Sequence, residues 1–333
     1  MKEKFNIAII GATGNVGLKV LEILNERNFP VNNIYAVASQ SSLGKEIKFG
    51  ENKTLKSQMI DELDFKNIDI AFFAAGSDIS EKYAKKIASQ GCIVIDKSSY
   101  FRMHNTVPLI VPEVNPEAIS KHNNIICSPN CSVIPLVIAL KPFHEEARIK
   151  RIIVSTYQSV SGAGIRAMKE LARQSQEKFF DDEPTSSVFP KRIAFNIIPQ
   201  IDEFMDSGAT KEEGKIVEET QKILGKHINI TVTCVRVPVM IGHSSSVNVE
   251  FEKNIAVNRA QELLELTKGV VISSAPGSYT TPLDAAGMDE VFISRLRKDL
   301  TVYSGLNLWI VSDNLRKGAA LNAVQIAELL IGR

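Results

Sequence analysis

A cysteine, a histidine and a glycine-rich turn carry most of the reactive chemistry this sequence offers. Cys131 stands in Ser128-Pro129-Asn130-Cys131-Ser132, after a short apolar strand at 125–127 and before an apolar helix that begins at Val133. A thiol just ahead of a helix meets backbone N–H groups and the positive end of the macrodipole, and both lower its pKa. The polar flanks predict an exposed turn, and so a nucleophile. Cys92, Cys127 and Cys234 read instead as small buried hydrophobes. Of the five histidines, His104, His122, His144 and His227 fall in predicted loops or on helix surfaces. His243, in Gly242-His243-Ser244, opens a strand among small neighbours. A histidine near neutrality can take a thiol proton and serve a developing alkoxide, although a turn histidine would suit the same position.

The second chemical feature is Gly11-Ala12-Thr13-Gly14-Asn15-Val16-Gly17, between a strand and a helix. The spacing is Gly-x-x-Gly-x-x-Gly, not the dinucleotide Gly-x-Gly-x-x-Gly, but the physics is shared. Glycines permit a tight turn and close backbone approach, and a helix N-terminus favours a pyrophosphate. NAD-binding chains usually place an acid after the second strand to bind the ribose hydroxyls. Here that segment holds Ser39, Ser41, Ser42 and Lys45 and no acid, which suits a 2′-phosphate and predicts NADP over NAD.

These residues need a scaffold. Phe5–Ile10 reads as a buried strand, and 15–27 as a helix with Val16, Val20, Leu21, Ile23 and Leu24 on one face. Further strands are predicted at 33–38, 68–74 and 92–95, with a helix at 79–89. This alternation implies parallel pairing in a Rossmann-like, doubly wound α/β sheet. The middle of the chain differs. A strand at 152–157, a helix at 167–178 and strands from 228 to 239, around 247–251 and at 302–311 predict an α+β domain with a mixed or antiparallel sheet. The apolar residues of 228–239 change parity after Cys234, which predicts a bulge near Arg236. Residues 313–331 return to helix, with Ala319, Ala320, Ala323, Ile326, Ala327 and Leu330 as an apolar stripe suited to docking on a Rossmann-type sheet. Residues 39–42 and 181–187 read as loops.

Length and composition bound the rest. A chain of 333 residues allows two domains at about 150 residues each. The 39 basic and 38 acidic residues nearly cancel, which argues against nucleic acid or an anionic membrane as partner. No run approaches the roughly 18 apolar residues of a membrane span, and four cysteines make neither a disulfide framework nor a zinc site. The expected compartment is reduced and cytoplasmic, and no metal is expected.

Taken together, the motifs resemble the aspartate-semialdehyde dehydrogenase family over essentially the whole chain. The resemblance rests on GATGNVG at 11–17, Phe101-Arg102-Met103 followed by VPLIVPEVN, SPNCS around Cys131, YQSVSGAG from Tyr157, RVPVMIGHS from Arg236, and DNLRKGAALNAVQ from Asp313, in family order. It implies phosphate-dependent interconversion of aspartate 4-semialdehyde and 4-aspartyl phosphate with NADP. It makes Cys131 the nucleophile and His243 the acid/base. Arg236 would grip the substrate carboxylate, Glu212 would face its ammonium and Gln158 would orient it. Arg102, Asn130 and Lys215 would hold phosphate. Gly11, Thr13, Gly14, Asn15, Val16, Gly17, Ser39, Ser41, Ser42, Ser161, Gly162 and Asn314 would contact the cofactor. A guanidinium forks onto a carboxylate as a lysine cannot, and Glu212 and Lys215 share a face of the helix expected over 210–224.

One departure bears on the cofactor. Where the family commonly carries Ser-Arg-Ser-x-Gly-Lys, this chain has Ser41 in the arginine's place, which weakens the NADP reading and makes NAD the alternative. The resemblance also implies a homodimer or homotetramer, with an interface on the middle domain's sheet and the helix at 166–178. The expected domains are 1–128 with 313–333 for the nucleotide and 129–312 for catalysis and dimerisation, with the site between them. N-acetyl-γ-glutamyl-phosphate reductase shares this chemistry but usually reads Pro-Gly-Cys-Tyr around its cysteine, against Pro-Asn-Cys-Ser here, and its substrate has no ammonium. The Ser-Cys-Thr-Thr-Asn signature of glyceraldehyde-3-phosphate dehydrogenases is absent. An inactive nucleotide-binding regulator is disfavoured because Cys131, His243 and Arg236 are all present.

Overall fold

The computed structural model describes residues 2–179, 185–275 and 277–333, so residues 181–184 of the loop expected at 181–187 lie outside the described residues. The chain forms two compact units, one of residues 1–130 and 319–333, the other of residues 131–318. The second boundary falls at Gly318/Ala319, not ahead of Asp313, because Asn314 bonds to Ser159, Ser161 and Gly242 of the second unit.

The first unit is built on β1 (Phe5–Ile10), α1 (Asn15–Glu26), β2 (Val31–Val37), an antiparallel hairpin β3 (Glu46–Phe49) and β4 (Lys53–Lys56), β5 (Ile70–Phe73), α2 (Ser77–Ala88), β6 (Ile93–Asp96) and β7 (Ile125–Cys127). Its main sheet is wholly parallel in the order β2-β1-β5-β6-β7. Alternate residues Ile7, Ile9, Phe72 and Ile95 face a core shared with Val20, Leu21 and Leu24 of α1 and with Ala323, Val324, Ile326 and Ala327 of the C-terminal helix Leu321–Leu330. Asp96, of the opposite parity in β6, accepts a 2.9 Å bond from Ser80 of α2, so helices cover both faces. From β1 the chain moves to β2 on one side and then to β5 on the other, which makes a topological switch point at the carboxyl ends of β1 and β5.

The second unit contains α3 (Val133–Ala147), β8 (Ile149–Gln158), α4 (Ile165–Phe179), α5 (Lys211–Leu224), β9 (Asn229–Arg236), β10 (His243–Phe251), α6 (Val257–Glu265), β11 (Val270–Ser273), the one-turn α7 (Pro282–Ala285), β12 (Val291–Lys298) and β13 (Gly305–Ser312). Its mixed sheet runs β11-β12-β13-β10-β8-β9, with only the two outermost pairs parallel. Helices α3, α5 and α6 pack on it. The expected bulge near Arg236 is not there. β8 and β9 pair without a register shift through Gln158↔Arg236, and β9 ends at Arg236. The buried face keeps its even parity through Cys234 and Arg236, so the change read in the sequence marks the strand's end.

Strand register assembles one end of this sheet. β8 finishes at Gln158, β9 at Arg236 and β13 at Ser312, while β10 starts at His243 opposite Ser312. The neighbouring order β13-β10-β8-β9 therefore brings Asn314, His243, Gln158 and Arg236 to one edge, although they span more than 150 residues of sequence.

Candidate active site

Of the four cysteines only Cys131 is half-buried; the other three are buried, and none forms a disulfide. Burial pushes Cys92 and Cys234 up to about 12, which keeps them as inert thiols. Cys131 precedes α3, whose first turn carries no acidic side chain to offset the dipole. The positioning is steric as well: a Cβ on Gly318 would stand 3.0 Å from the Cys131 carbonyl oxygen and 3.1 Å from its Cβ.

His243 is 3 % exposed, while His104 and His227 are exposed and His122 and His144 half-buried. Its Nδ1 accepts the Ser159 backbone N–H at 3.1 Å, and the Ser159 hydroxyl lies equally close. The backbone group can only donate, so the neutral ring carries its proton on Nε2. Nε2 is buried and has no hydrogen-bond partner among the described residues. Burial, with Arg236 nearby as the second cause, pushes the His243 pKa down to about 3, so the resting ring is neutral.

Arg236 is buried, and its Nη1 donates to the Ser159 carbonyl at 2.7 Å. Its charge is opposed by burial and supported by Glu212, then by the Cys131 thiol, which ties the guanidinium electrostatically to both. Phe189 lies against it, with 6.0 Å between the guanidinium carbon and the ring centroid. Gly162 shows how tightly this corner is drawn. A Cβ there would fall 3.1 Å from Arg236 Nη1 and 3.2 Å from His243 Nε2, so only a glycine leaves the space between the two open.

Glu212 follows Thr210, which caps α5 in a capping box closed by Glu213. Its Oε1 accepts from Gln158 Nε2 at 3.2 Å, and its Oε2 is 3.4 Å from Lys215 Nζ. Lys215 is also paired with Asp202 at 2.6 Å. Thus Cys131, Gln158, Glu212, Lys215, Arg236 and His243 all belong to the second unit. Ser161, Gly162 and Asn314 belong there too, and Ser161 and Asn314 bond to each other and to Ser159.

The other expected residues lie in the first unit. Gly11 has φ +88°, and a Cβ on it would be 2.7 Å from the Ala74 carbonyl, at the switch point of the sheet. A Cβ on Gly17 would be 2.2 Å from the Gly11 carbonyl, so this turn admits no other residue there. Gly14 caps α1 without a side-chain bond, and no acid occupies the first turn. Thr13, Asn15 and Val16 are half-buried around it. A pyrophosphate fits this backbone cradle. Ser39 and Ser41 are exposed beside half-buried Ser42, with a 3.0 Å contact between the Ser39 and Ser41 hydroxyls. Arg102 is buried and donates to the Lys97 carbonyl at 2.6 Å. Asn130 is buried at the end of a segment held by Lys97, which donates to the Pro129 carbonyl at 2.8 Å, and by Asn322, which donates to Ser128 Oγ at 2.8 Å.

Four residues of this machinery carried no signal that singled them out in sequence. Ser159, Lys97, Asn322 and Asp202 supply only hydrogen bonds or an ion pair, and nothing in their types announces it. Asp202 adopts φ +71°, a left-handed conformation that an aspartate tolerates, and no turn motif marks it.

Comparison with known proteins agrees with this layout. Residues 6–122 match the semialdehyde dehydrogenase NAD binding domain, and residues 140–317 match the semialdehyde dehydrogenase dimerisation domain. A Rickettsia conorii protein named aspartate-semialdehyde dehydrogenase is 52% identical over 335 residues, covering 99% of each chain. The chain belongs to the aspartate-semialdehyde dehydrogenase family. The Vibrio cholerae aspartate semialdehyde dehydrogenase II, crystallised in complex with ASA, superposes with a TM-score of 0.97 at 47% identity over 99% of both chains. The Candida albicans enzyme solved with NADP shares the fold, with a TM-score of 0.78 at 24% identity over 98% of both chains. Within this family the two units described above correspond to an NAD(P)-binding domain and a dimerisation domain. No helix among the described residues is long and apolar enough to cross a membrane.

Proposed function

We propose that this chain interconverts L-aspartate 4-semialdehyde and L-4-aspartyl phosphate with inorganic phosphate and NADP(H), through a thioester on Cys131. The observation that carries this reading is the corner around Gly162, where Arg236 and His243 converge and Arg236 is coupled to the half-buried thiol. The product class is a precursor for amino-acid biosynthesis, toward lysine, threonine, methionine and diaminopimelate.

In the oxidative direction the Cys131 thiolate attacks the aldehyde carbon. A carbon–sulfur bond forms, and the carbonyl oxygen gains a proton to give a thiohemiacetal. Residues 11–17 would hold the pyrophosphate of a nicotinamide cofactor, which would supply the acceptor for the hydride lost from this carbon. His243, once its own ring proton sits on Nδ1 facing the Ser159 hydroxyl, takes the hydroxyl proton at Nε2 as the carbon–oxygen double bond re-forms, leaving the thioester. A phosphate oxygen next attacks the thioester carbon, and sulfur departs with its electron pair as the thiolate. Arg102, Asn130 and Lys215 are the proposed phosphate holders, and Gln158 orients the substrate.

The electrostatics suit an amino-acid substrate. One of the five N–H donors of Arg236 is used by the Ser159 carbonyl, and the rest of the fork is proposed to take the carboxylate. Glu212, a nearly buried carboxylate, suits an ammonium. A carboxylate on Arg236 would also offset the charge that disfavours protonation of His243, so substrate binding itself would make the ring a better base. Ser39, Ser41 and Ser42 with Lys45 favour NADP, with NAD as the weaker cofactor. The outer face of the six-stranded sheet, with the tilted rings of Tyr157 and Trp309 5.4 Å apart and Tyr157 exposed, is proposed as the contact with a second copy.

A phosphate-dependent assay tests the reading, with aspartate semialdehyde set against N-acetylglutamate semialdehyde and NADP against NAD. We expect turnover with the first aldehyde, dependence on phosphate, and a higher kcat/KM with NADP. Turnover with the acetylated aldehyde alone would overturn the substrate assignment and the role of Glu212.

A further inference from the structure

Two buried side chains of α4, one turn apart, hold a segment that has no regular structure of its own. Residues 185–197 form neither helix nor strand, so their backbone N–H groups need partners from elsewhere. Glu170, 3 % exposed, meets three of them. Its Oε2 accepts from the Ser187 N–H at 2.9 Å, the Ser187 hydroxyl at 2.6 Å and the Val188 N–H at 2.7 Å, and its Oε1 accepts from the Phe189 N–H at 3.4 Å. Gln174 is fully buried, and its Oε1 accepts from the N–H groups of Ile193 at 2.9 Å and Ala194 at 3.1 Å. Its Nε2 donates to the Thr185 carbonyl at 3.0 Å. Burial opposes the charge on Glu170, but the Ser187 hydroxyl and the three N–H groups outweigh it and hold the carboxyl below its usual range.

The segment so held meets Arg236 twice. Just beyond it, Ile198 exchanges both backbone bonds with Arg236, at 3.0 and 2.8 Å, at the end of β9. In its middle the half-buried Phe189 sets its ring against the Arg236 guanidinium, 6.0 Å from the guanidinium carbon. Ile193, Ala194 and Ile198 pack with Val160, Ala167 and Leu171, so the contact rests on a small apolar core beside α4. All of these residues belong to the second unit. An aromatic face beside a guanidinium favours its charge and restricts its plane. Both effects matter most where burial opposes that charge, as it does at Arg236.

We infer that Phe189 is a specificity-determining residue that aims the Arg236 fork at the substrate carboxylate, and that Glu170 is a positioning residue that holds Phe189 there. The inference rests on the proposed grip of Arg236 on that carboxylate. The Ser159 carbonyl holds one end of the guanidinium and the Phe189 ring restrains its plane, so the remaining donors are pre-organised for a planar anion. Gln174 anchors the far end of the same segment. Neither Phe189 nor Glu170 is assigned a place at the reacting carbon. Their effect should therefore fall on which aldehyde is taken, and not on the thioester chemistry.

The test uses the full-length enzyme with phosphate, NADP and two aldehydes: aspartate semialdehyde, and 3-aminopropanal, which is the same molecule without its carboxylate. The readouts are the ratio of their kcat/KM values and the separate KM values for aspartate semialdehyde, phosphate and NADP. Phe189→Leu keeps apolar bulk and removes the ring face. It should lower the ratio about fivefold, the scale of a partly desolvated cation–π contact. Glu170→Gln turns an amide NH₂ toward backbone donors and displaces the segment. It should lower the ratio about tenfold, within the roughly 10²-fold that a 1 Å misplacement can cost. Both should act through KM for aspartate semialdehyde, with kcat within about threefold and the KM values for phosphate and NADP within about twofold. The double variant should match Glu170→Gln within about twofold, because one residue acts through the other. An unchanged ratio and KM in Phe189→Leu would overturn the inference whether or not Glu170→Gln folds. So would equal rises in KM for all three substrates, which would mark a general loss of structure, or a double variant whose losses multiply. Arg236→Lys separates the two levels. If it leaves the ratio unmoved, the carboxylate grip of Arg236 itself fails; if it lowers the ratio while Phe189→Leu and Glu170→Gln do not, only the present inference fails.

Discussion

The two anion-handling regions of this chain are built on opposite plans. The turn at residues 11–17 offers backbone, and its side chains matter chiefly by being absent at Gly11 and Gly17. The corner at the end of the second sheet offers buried side chains: Arg236 and His243, both held by Ser159, and Glu212 and Gln158, held by each other. A backbone site is local and survives most substitutions away from its glycines. A side-chain site has a sharper electrostatic character, because burial removes water from around each charge, and it depends on distant residues for its geometry.

The largest expected difference comes from Cys131→Ser. Loss of the nucleophile should lower turnover by several orders of magnitude and leave NADP binding unchanged, since the cradle at 11–17 is untouched. Appreciable turnover by this variant would sink the covalent route. Two glycine variants should then separate the regions. Gly17→Ala forces a Cβ to 2.2 Å from the Gly11 carbonyl, an unyielding backbone atom. It should weaken NADP binding and destabilise the protein by about 1–3 kcal/mol, the cost of overpacking. Gly162→Ala meets Arg236 and His243 side chains at 3.1 and 3.2 Å, which can shift by a few tenths of an ångström. It should lower kcat/KM about tenfold, the effect of roughly 1.4 kcal/mol on the transition state, with the melting temperature nearly unchanged. The opposite pattern, read by calorimetry and steady-state kinetics, would contradict the division.

A smaller effect concerns pH. The folded pKa of His243 is pushed down to about 3, mainly by burial and then by Arg236. Between that value and the usual 6.5 the unfolded chain binds a proton that the folded protein refuses, so stability from this group falls as pH drops through the window. Denaturant unfolding at pH 7 and pH 4.5 should show a loss in the parent that is partly absent in His243→Gln. Equal losses would mean that the ring is solvated. The smallest effect is expected at the exposed serines. Ser41→Arg should raise the preference for NADP over NAD about tenfold, as one charge-assisted hydrogen bond would. An unchanged ratio would mean that the 2′-phosphate is read elsewhere.

The same contrast governs what the sequence revealed. The glycine turn, the alternation of strands and helices around it and the apolar stripe of the C-terminal helix are local patterns, and all were legible. The place of Cys131 just ahead of a helix was legible too, but the exposed turn expected there was not borne out: Cys131 is half-buried and Ser128, Asn130 and Ser132 are buried. His243 was recognisable as a histidine with room around it, but its partner Ser159 lies 84 residues away and meets it only through strand pairing. β12 was missed because Arg295, at φ +59°, and the register shift after Ser294 interrupt its alternation. The parity change near Arg236 was visible but ambiguous. A bulge and a strand end disturb the period alike, and only the pairing of Gln158 with Arg236 distinguishes them.

The central claim is that Cys131 carries the acyl group and that phosphate releases it. Rapid mixing of the protein with aspartate semialdehyde and NADP in the absence of phosphate tests this directly, with NADPH followed by absorbance and the quenched protein by peptide mass spectrometry. The account predicts a burst of about one NADPH per active site, an aspartyl adduct on the peptide holding Cys131, and steady turnover only after phosphate is added. Continuous turnover without phosphate, or an adduct on Cys92, Cys127 or Cys234 in place of Cys131, would contradict it.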